Sequence, residues 1–261
     1  PCASPPAPAT TAIHILIRTP MIMATPTGDT AALAWLPRLL QTTDSMFPTG
    51  AYAHSFGLEG AVQDGLVTDT ASLDDFLTNQ IVPALRQLEL PCARHAFNAA
   101  RDDDLETLCE LDGQYAALKG THELREASAR TGRQRLALLK KIAPHENQWW
   151  EKMDAARRDG ALNAHDVIVI GAQGARTNIP LEAVLTAVYY QALAALVTAS
   201  LKLIRIGQEA CQDLLSNHLA EAPAAIKAAR EVSPEDMGWF SPTLDIASAR
   251  HETAYTRLFI T

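Results

Sequence analysis

From Trp35 onward, apolar residues recur at steps of three and four along nearly the whole chain. In residues 72–90, Leu73, Phe76, Leu77, Ile81, Leu85 and Leu88 form one stripe at the 3.6-residue period, with Asp74, Asp75, Asn79, Arg86 and Glu89 outside it. The spacing predicts a helix opened by Ser72 and Asp75 in the manner of a capping box. Pro83 should kink or divide it, because proline removes a donor and its ring crowds the preceding turn. A second helix is expected after Pro91, carrying Cys92, His95 and Phe97 to the acidic break at 101–104. Leu105, Leu108, Leu111, Tyr115 and Leu118 mark the inner face of a third, in which Gly113 is a weak point. Thr121 is placed to cap a fourth, which runs to about Ile142 and is stopped by Pro144. Residues 146–160 read as a shorter helix ending at Gly160.

One stretch points elsewhere. HDVIVIG, residues 165–171, holds four β-branched residues in a row and has the local propensity of a strand. A lone strand would have nothing to pair with among helices, so that reading is discounted. A long helix over 180–206 follows, opening at Pro180 and ended by Gly207. The tail, 241–261, reads as an irregular turn and a polar stretch. The expected fold is all-α: a single-domain helical bundle over 31–261 with a long buried central helix near 180–206. Residues 1–30, rich in Pro, Ala and Thr, are expected to be a disordered extension.

Composition supports this picture and removes several functions. Aromatic residues make up only 6% of the chain, and Ala and Leu carry much of the apolar fraction, which favours helices over a sandwich or barrel. A net charge of −8 argues against nucleic-acid binding, which needs a basic surface. The most basic run, residues 124–141, has six Arg or Lys against one Glu and reads first as a solvated helix face. Docking of an acidic partner is the second reading. The four cysteines never form a CxxC pair, so a thiolate zinc site is not indicated, and scattered thiols suit a reducing cytoplasm. The apolar run at 181–206 is interrupted by Glu182, Gln191 and Lys202, so it reads as a buried or interface helix rather than a membrane span.

The richest candidate chemistry lies in TDSMFPTGAYAHSFGLE, residues 43–59. A nucleophile elbow needs a glycine two residues before its serine, and Ser55 has Ala53 there. His54 and Ser55 are also sequence neighbours, whereas a catalytic pair normally meets across space with a third, orienting group. A helical hydrolase using His54, Ser55 and an acid from the tail is thus a minor alternative. None of the eight histidines has a second histidine four residues away; HELRE at 122–126 lacks the one a zincin helix needs. No preformed metal site is expected; a weak or transient nickel-type contact through one imidazole is the most the histidines leave open. GAQGAR, at 171–176, lacks a complete phosphate-loop pattern, and Gly171 and Gly174 read as close-packing positions. What remains is the turn: Pro48 presets φ, Gly50 permits a reversal, and Tyr52 offers a hydroxyl that needs a partner if buried. The tail supplies candidate partners in Arg250, Glu252 and Arg257.

Residues 39–62, LLQTTDSMFPTGAYAHSFGLEGAV, resemble the signature near the start of the urease accessory protein UreF family. Residues 123–138, 196–212 and 245–259 resemble that family's later motifs in the same order, so the similarity covers about 33–261. The resemblance implies an all-α, non-enzymatic protein with no cofactor of its own. It also implies a cytoplasmic homodimer that works with UreD (also called UreH) and the GTPase UreG to deliver nickel to apo-urease. Tyr52 matches the family's tyrosine after the FPxG turn, and Arg257 the arginine near the chain end. In the family that loop and the tail are linked by hydrogen bonds. Arg250, His251 and Glu252 match its RHE-type step and are candidates for the same partner-binding surface. An interaction module for another metalloenzyme is the bland alternative.

Overall fold

The computed structural model describes residues 33–260; the extension expected at 1–30 lies outside them. From Trp35 on the chain groups into one unit, and the described residues contain helices and no strand. The order is α1 (Leu36–Thr43), α2 (Leu58–Gln63), α3 (residues 70–101), α4 (Leu105–Leu118), α5 (His122–Ile142) and α6 (Asn147–Arg158). Then come α7 (Asp166–Arg176), α8 (Leu181–Leu203), α9 (Gln208–Ala220), α10 (Ala222–Ala229) and α11 (Pro242–Glu252).

Helix α3 corrects two expectations. Its cap is Asp69, whose carboxylate accepts from the Ser72 amide at 2.9 Å while Ser72 Oγ accepts from the Asp69 amide at 3.0 Å. Ser72 is therefore the third residue of the first turn, not the cap. The helix also runs through both Pro83 and Pro91, so no second helix begins after Pro91. A π turn precedes each proline, at Leu77–Ile81 and Leu85–Glu89, and its wider ladder makes room for the ring and the missing donor. The Gln87 carbonyl, which would have received the Pro91 amide, accepts instead from Gly238 N at 3.0 Å.

Helix α7 is the stretch with strand propensity, and it is helical because of where it packs. Val167, Ile168 and Val169 are all buried, wedged against α3 and α5. Gly171 allows the approach: a Cβ there would run into the Ala93 carbonyl of α3 and lie 2.9 Å from Ala96 Cβ. Asp112, fully buried on α4, holds the turn before α7 by accepting the amides of Asn163 at 2.5 Å and His165 at 2.8 Å.

Helix α8 is the central one, touching α1, α2, α3, α7, α9 and α10. It is long and apolar enough to cross a membrane, yet Leu185, Tyr189, Leu193 and Leu196 are enclosed by its neighbours. It ends at Leu203 rather than at Gly207, which instead occupies the cap position of α9. The tail differs most from expectation. Ser241 Oγ accepts from the Leu244 amide at 3.2 Å and opens a regular helix, α11, where a turn and irregular chain were predicted. Only residues beyond Glu252 are irregular.

Candidate functional site

The 43–59 stretch, the start of α5 and the C-terminal segment meet in one place. After the turn at Pro48–Gly50, Ala51–Ala53 form a single 3-10 turn. Gly57 adopts φ +88°, a left-handed conformation that L side chains resist, and so aims α2 at α11. Gly60 then brings the two helices together, because a Cβ there would sit 2.5 Å from the Ala247 carbonyl. All of Leu58, Glu59, Gly60 and Ala61 are buried.

At this contact lies a buried charge network. Glu59 is 3% exposed and accepts two amides of the tail, Leu258 N at 2.8 Å on Oε1 and Phe259 N at 2.9 Å on Oε2. His251, on α11 and 1% exposed, lies between two carboxylates. Its Nδ1 is 3.0 Å from Glu123 Oε2 in hydrogen-bond geometry. Its Nε2 is 3.1 Å from Glu59 Oε2 but poorly aligned, a close electrostatic contact rather than a hydrogen bond. Glu123, in the first turn of α5, accepts on its other oxygen from Arg257 Nη1 at 2.8 Å. Two buried carboxylates thus face one guanidinium and one imidazole, each held by partners from a different part of the chain, the arrangement that makes buried charge tolerable.

Further contacts fasten the tail. Ile260 N donates to the Ala53 carbonyl at 2.8 Å, and Gln63 Nε2 to the Thr256 carbonyl at 3.1 Å. Phe259 is buried, with Lys202 Nζ 5.5 Å from its ring centre. Arg250 pairs with Asp64 at 3.1 Å, and Glu252 lies 3.5 Å from His122, both near the surface.

Among the residues singled out in the sequence, Arg257 and His251 are in the network, and Arg250 and Glu252 at its rim. Tyr52 is 77% exposed and its hydroxyl makes none of these bonds. The loop reaches the tail through the backbone of the next residue, Ala53. Sequence reasoning missed Glu59 and Glu123, the two acids at the centre. The available signal was charge balance: a tail with Arg250, His251 and Arg257 needs acids, and Glu59 sits in a four-residue run with no polar face.

The hydrolase alternative finds no chemistry here. Ser55 is fully buried, and its Oγ accepts from the Glu59 amide at 3.2 Å, closing the start of α2. His54 is also buried; burial, and after it the positive charge of Arg130, keep its imidazole below the usual histidine range. Among the described residues, no group of three or more His, Cys, Asp or Glu is placed to hold a metal ion.

A model of the family described as UreF matches residues 67–220, more than half of the chain. The chain belongs to the UreF family. Relatives agree along most of their length. A urease accessory protein UreF of Nostoc sp. is 34% identical over 85% of this chain and 93% of the relative. Those of Azorhizobium caulinodans and Azoarcus sp. are 30% and 32% identical, covering 90% and 89% of this chain and 96% and 98% of theirs. UreF proteins are accessory and non-catalytic, in keeping with a site built from buried, mutually paired groups. The segment matched by the family model stops short of both the 43–59 loop and the tail, so the site described above extends beyond it.

Proposed function

We propose that this UreF protein is a docking scaffold that, with UreD and UreG, brings nickel to apo-urease, and that the latched tail is its docking surface. The observation that carries the reading is the division of labour in the tail. The Glu59–His251–Glu123–Arg257 network fixes the backbone from beneath, and the apolar side chains other than that of Phe259 stay outside. Tyr255 is fully exposed, Leu258 is 70% exposed and Ile260 46%, and the 77% exposed Tyr52 precedes Ala53, whose carbonyl accepts from Ile260 N. Exposed aromatic and aliphatic side chains on a backbone held in place are what a protein partner buries. The exposure of Tyr52 fits the same role, as a direct contact rather than a strut. The protein acts in the cytoplasm as a homodimer, holds no cofactor, and meets nickel only as cargo.

The test is co-purification. Tyr52→Ala and Leu258→Ala should leave the melting temperature unchanged and lower the yield of complex with UreD and UreG. Cells lacking the chain should accumulate urease without nickel. Full complex yield from both variants would refute the docking surface; full urease activity in deleted cells grown at low nickel would refute the maturation role.

A further inference from the structure

We infer that the groove between α5 and α6 binds a carboxylate-rich segment of a protein partner. Arg130, Arg133, Gln134, Ala137, Lys140 and Lys141 fall at steps of three and four, so they form one stripe along α5. With Asp154 and Arg157 of α6 and the Pro48–Gly50 turn, they line a groove of about 840 Å³. The lining carries five basic side chains and a single acid, Asp154, on a chain whose net charge is −8. The attraction is therefore local to this groove and not a property of the whole surface.

The ion pairs show which cations remain available. Lys140 is shared between Glu151 at 2.9 Å and Asp154 at 3.2 Å, and Arg157 pairs with Asp154 at 2.9 Å. Arg133 lies 3.7 Å from Glu126. Arg130 and Lys141 are exposed, and neither forms an ion pair among the described residues. They stand at opposite ends of the stripe, about 16 Å apart at the rise of an α-helix. Exposed Ala137 lies between them and opens the middle of the groove.

That spacing selects the ligand. A compact anion such as phosphate needs donors that converge on one point, from forked guanidiniums or free amides at a helix start. Here the cations are strung in a line, and the amides of mid-helix residues are committed to the helix. A peptide segment of about five extended residues spans the same distance and can place carboxylates at both ends. One residue of the basic run is not part of this surface. Arg135 is 3% exposed, pairs with Asp166 at 2.7 Å and donates to the Thr42 carbonyl at 3.1 Å. The run thus separates into a structural arginine and an open cationic stripe, and the inference stands apart from the tail surface.

The test uses the full chain and a fluorescein-labelled peptide of repeated Glu-Asp-Gly, followed by fluorescence anisotropy at about 0.05 M salt. The peptide should bind, and Arg130→Glu with Lys141→Glu should weaken binding about tenfold or more. Lys152→Glu with Lys227→Glu makes the same change in net charge away from the groove and should leave binding within about twofold. Absence of binding by the unaltered chain would overturn the inference, as would equal weakening by the control pair. Displacement of the peptide by an equimolar amount of inorganic phosphate would overturn it too, by revealing a compact anion site.

Discussion

Replacing Glu59 by alanine tests whether the tail is latched as the structure has it. The carboxylate accepts the amides of Leu258 and Phe259 at 2.8 and 2.9 Å and stands beside His251. Hydrogen bonds to a charged group contribute about 1.5–3 kcal/mol each, so the pair is worth about 3–6 kcal/mol at most. Water can replace the acceptor for the Leu258 amide, which is only partly buried, but not readily for that of Phe259. Allowing for this leaves about 2–4 kcal/mol of lost tail docking, or about 30- to 1,000-fold in the attached-to-detached ratio. The burial of Phe259 and the bond from Ile260 N to the Ala53 carbonyl remain, so the body of the protein keeps its fold. Amide hydrogen exchange of Leu258, Phe259 and Ile260 reads the ratio directly, and trypsin cleavage after Arg257 gives an independent measure. Both should accelerate in Glu59→Ala while protection in α8 stays unchanged. Equal exchange of the three amides in the variant and the parent would refute the latch.

Two further predictions concern the body of the protein. Gly171→Ala should destabilise by about 1–3 kcal/mol, because overlap with the Ala93 carbonyl outweighs the better helix propensity of alanine. Gly113→Ala, where nothing lies within 4 Å, should stabilise by about 0.5–1 kcal/mol; the two urea midpoints must move in opposite directions. Burial lowers the pKa of His54, His95 and His165, so the unfolded chain takes up protons first. Stability should therefore fall as pH drops below about 6.5 and through the lower folded-state values, and His165→Asn should flatten the profile. Midpoints that stay constant from about pH 7 to 5 would contradict this.

The helical fold was legible because amphipathic periodicity and caps are local. The exceptions trace to distant partners. Helix α7 has strand propensity in its first half, and its helicity rests on burial against α3 and α5, which its own eleven residues do not announce. The persistence of α3 through Pro83 and Pro91 depends on π turns and on Gly238, more than a hundred residues away, accepting the role of donor to Gln87. Helix α11 was hidden by a tail whose polar residues look solvated, and the burial of His251 among them shows only once Glu59 and Glu123 are seen on either side of it. The tail's importance could be read from its charges and from family resemblance. Its geometry could not, since each of its ion pairs joins residues far apart in sequence.

The way the tail is held also explains why its exposed apolar residues can remain exposed. A segment fastened by hydrophobic burial would turn Tyr255, Leu258 and Ile260 inward and leave a partner little to bind. Among the described residues beyond Glu252 only Phe259 is buried for that purpose, and the remaining attachment there comes from backbone amides and a guanidinium on two carboxylates that also hold the His251 imidazole of α11. Such interactions are directional, and the side-chain-specific ones fix the register as well as the position: Arg257 on Glu123 and the burial of Phe259 set which two consecutive amides Glu59 accepts. The register decides which side chains point out. Leu258 and Ile260 flank Phe259 in the chain and stay 70% and 46% exposed while Phe259 is buried. Lengthening the tail by one alanine between Arg257 and Leu258 therefore distinguishes directional latching from loose adhesion. If the latch sets the register, the insertion must either release Arg257 from Glu123 or turn the apolar face inward. Both outcomes should abolish co-purification with UreD while leaving the melting temperature of the helical body unchanged. An insertion variant that keeps its full complex yield would show that the partner reads the composition of the tail and not its register.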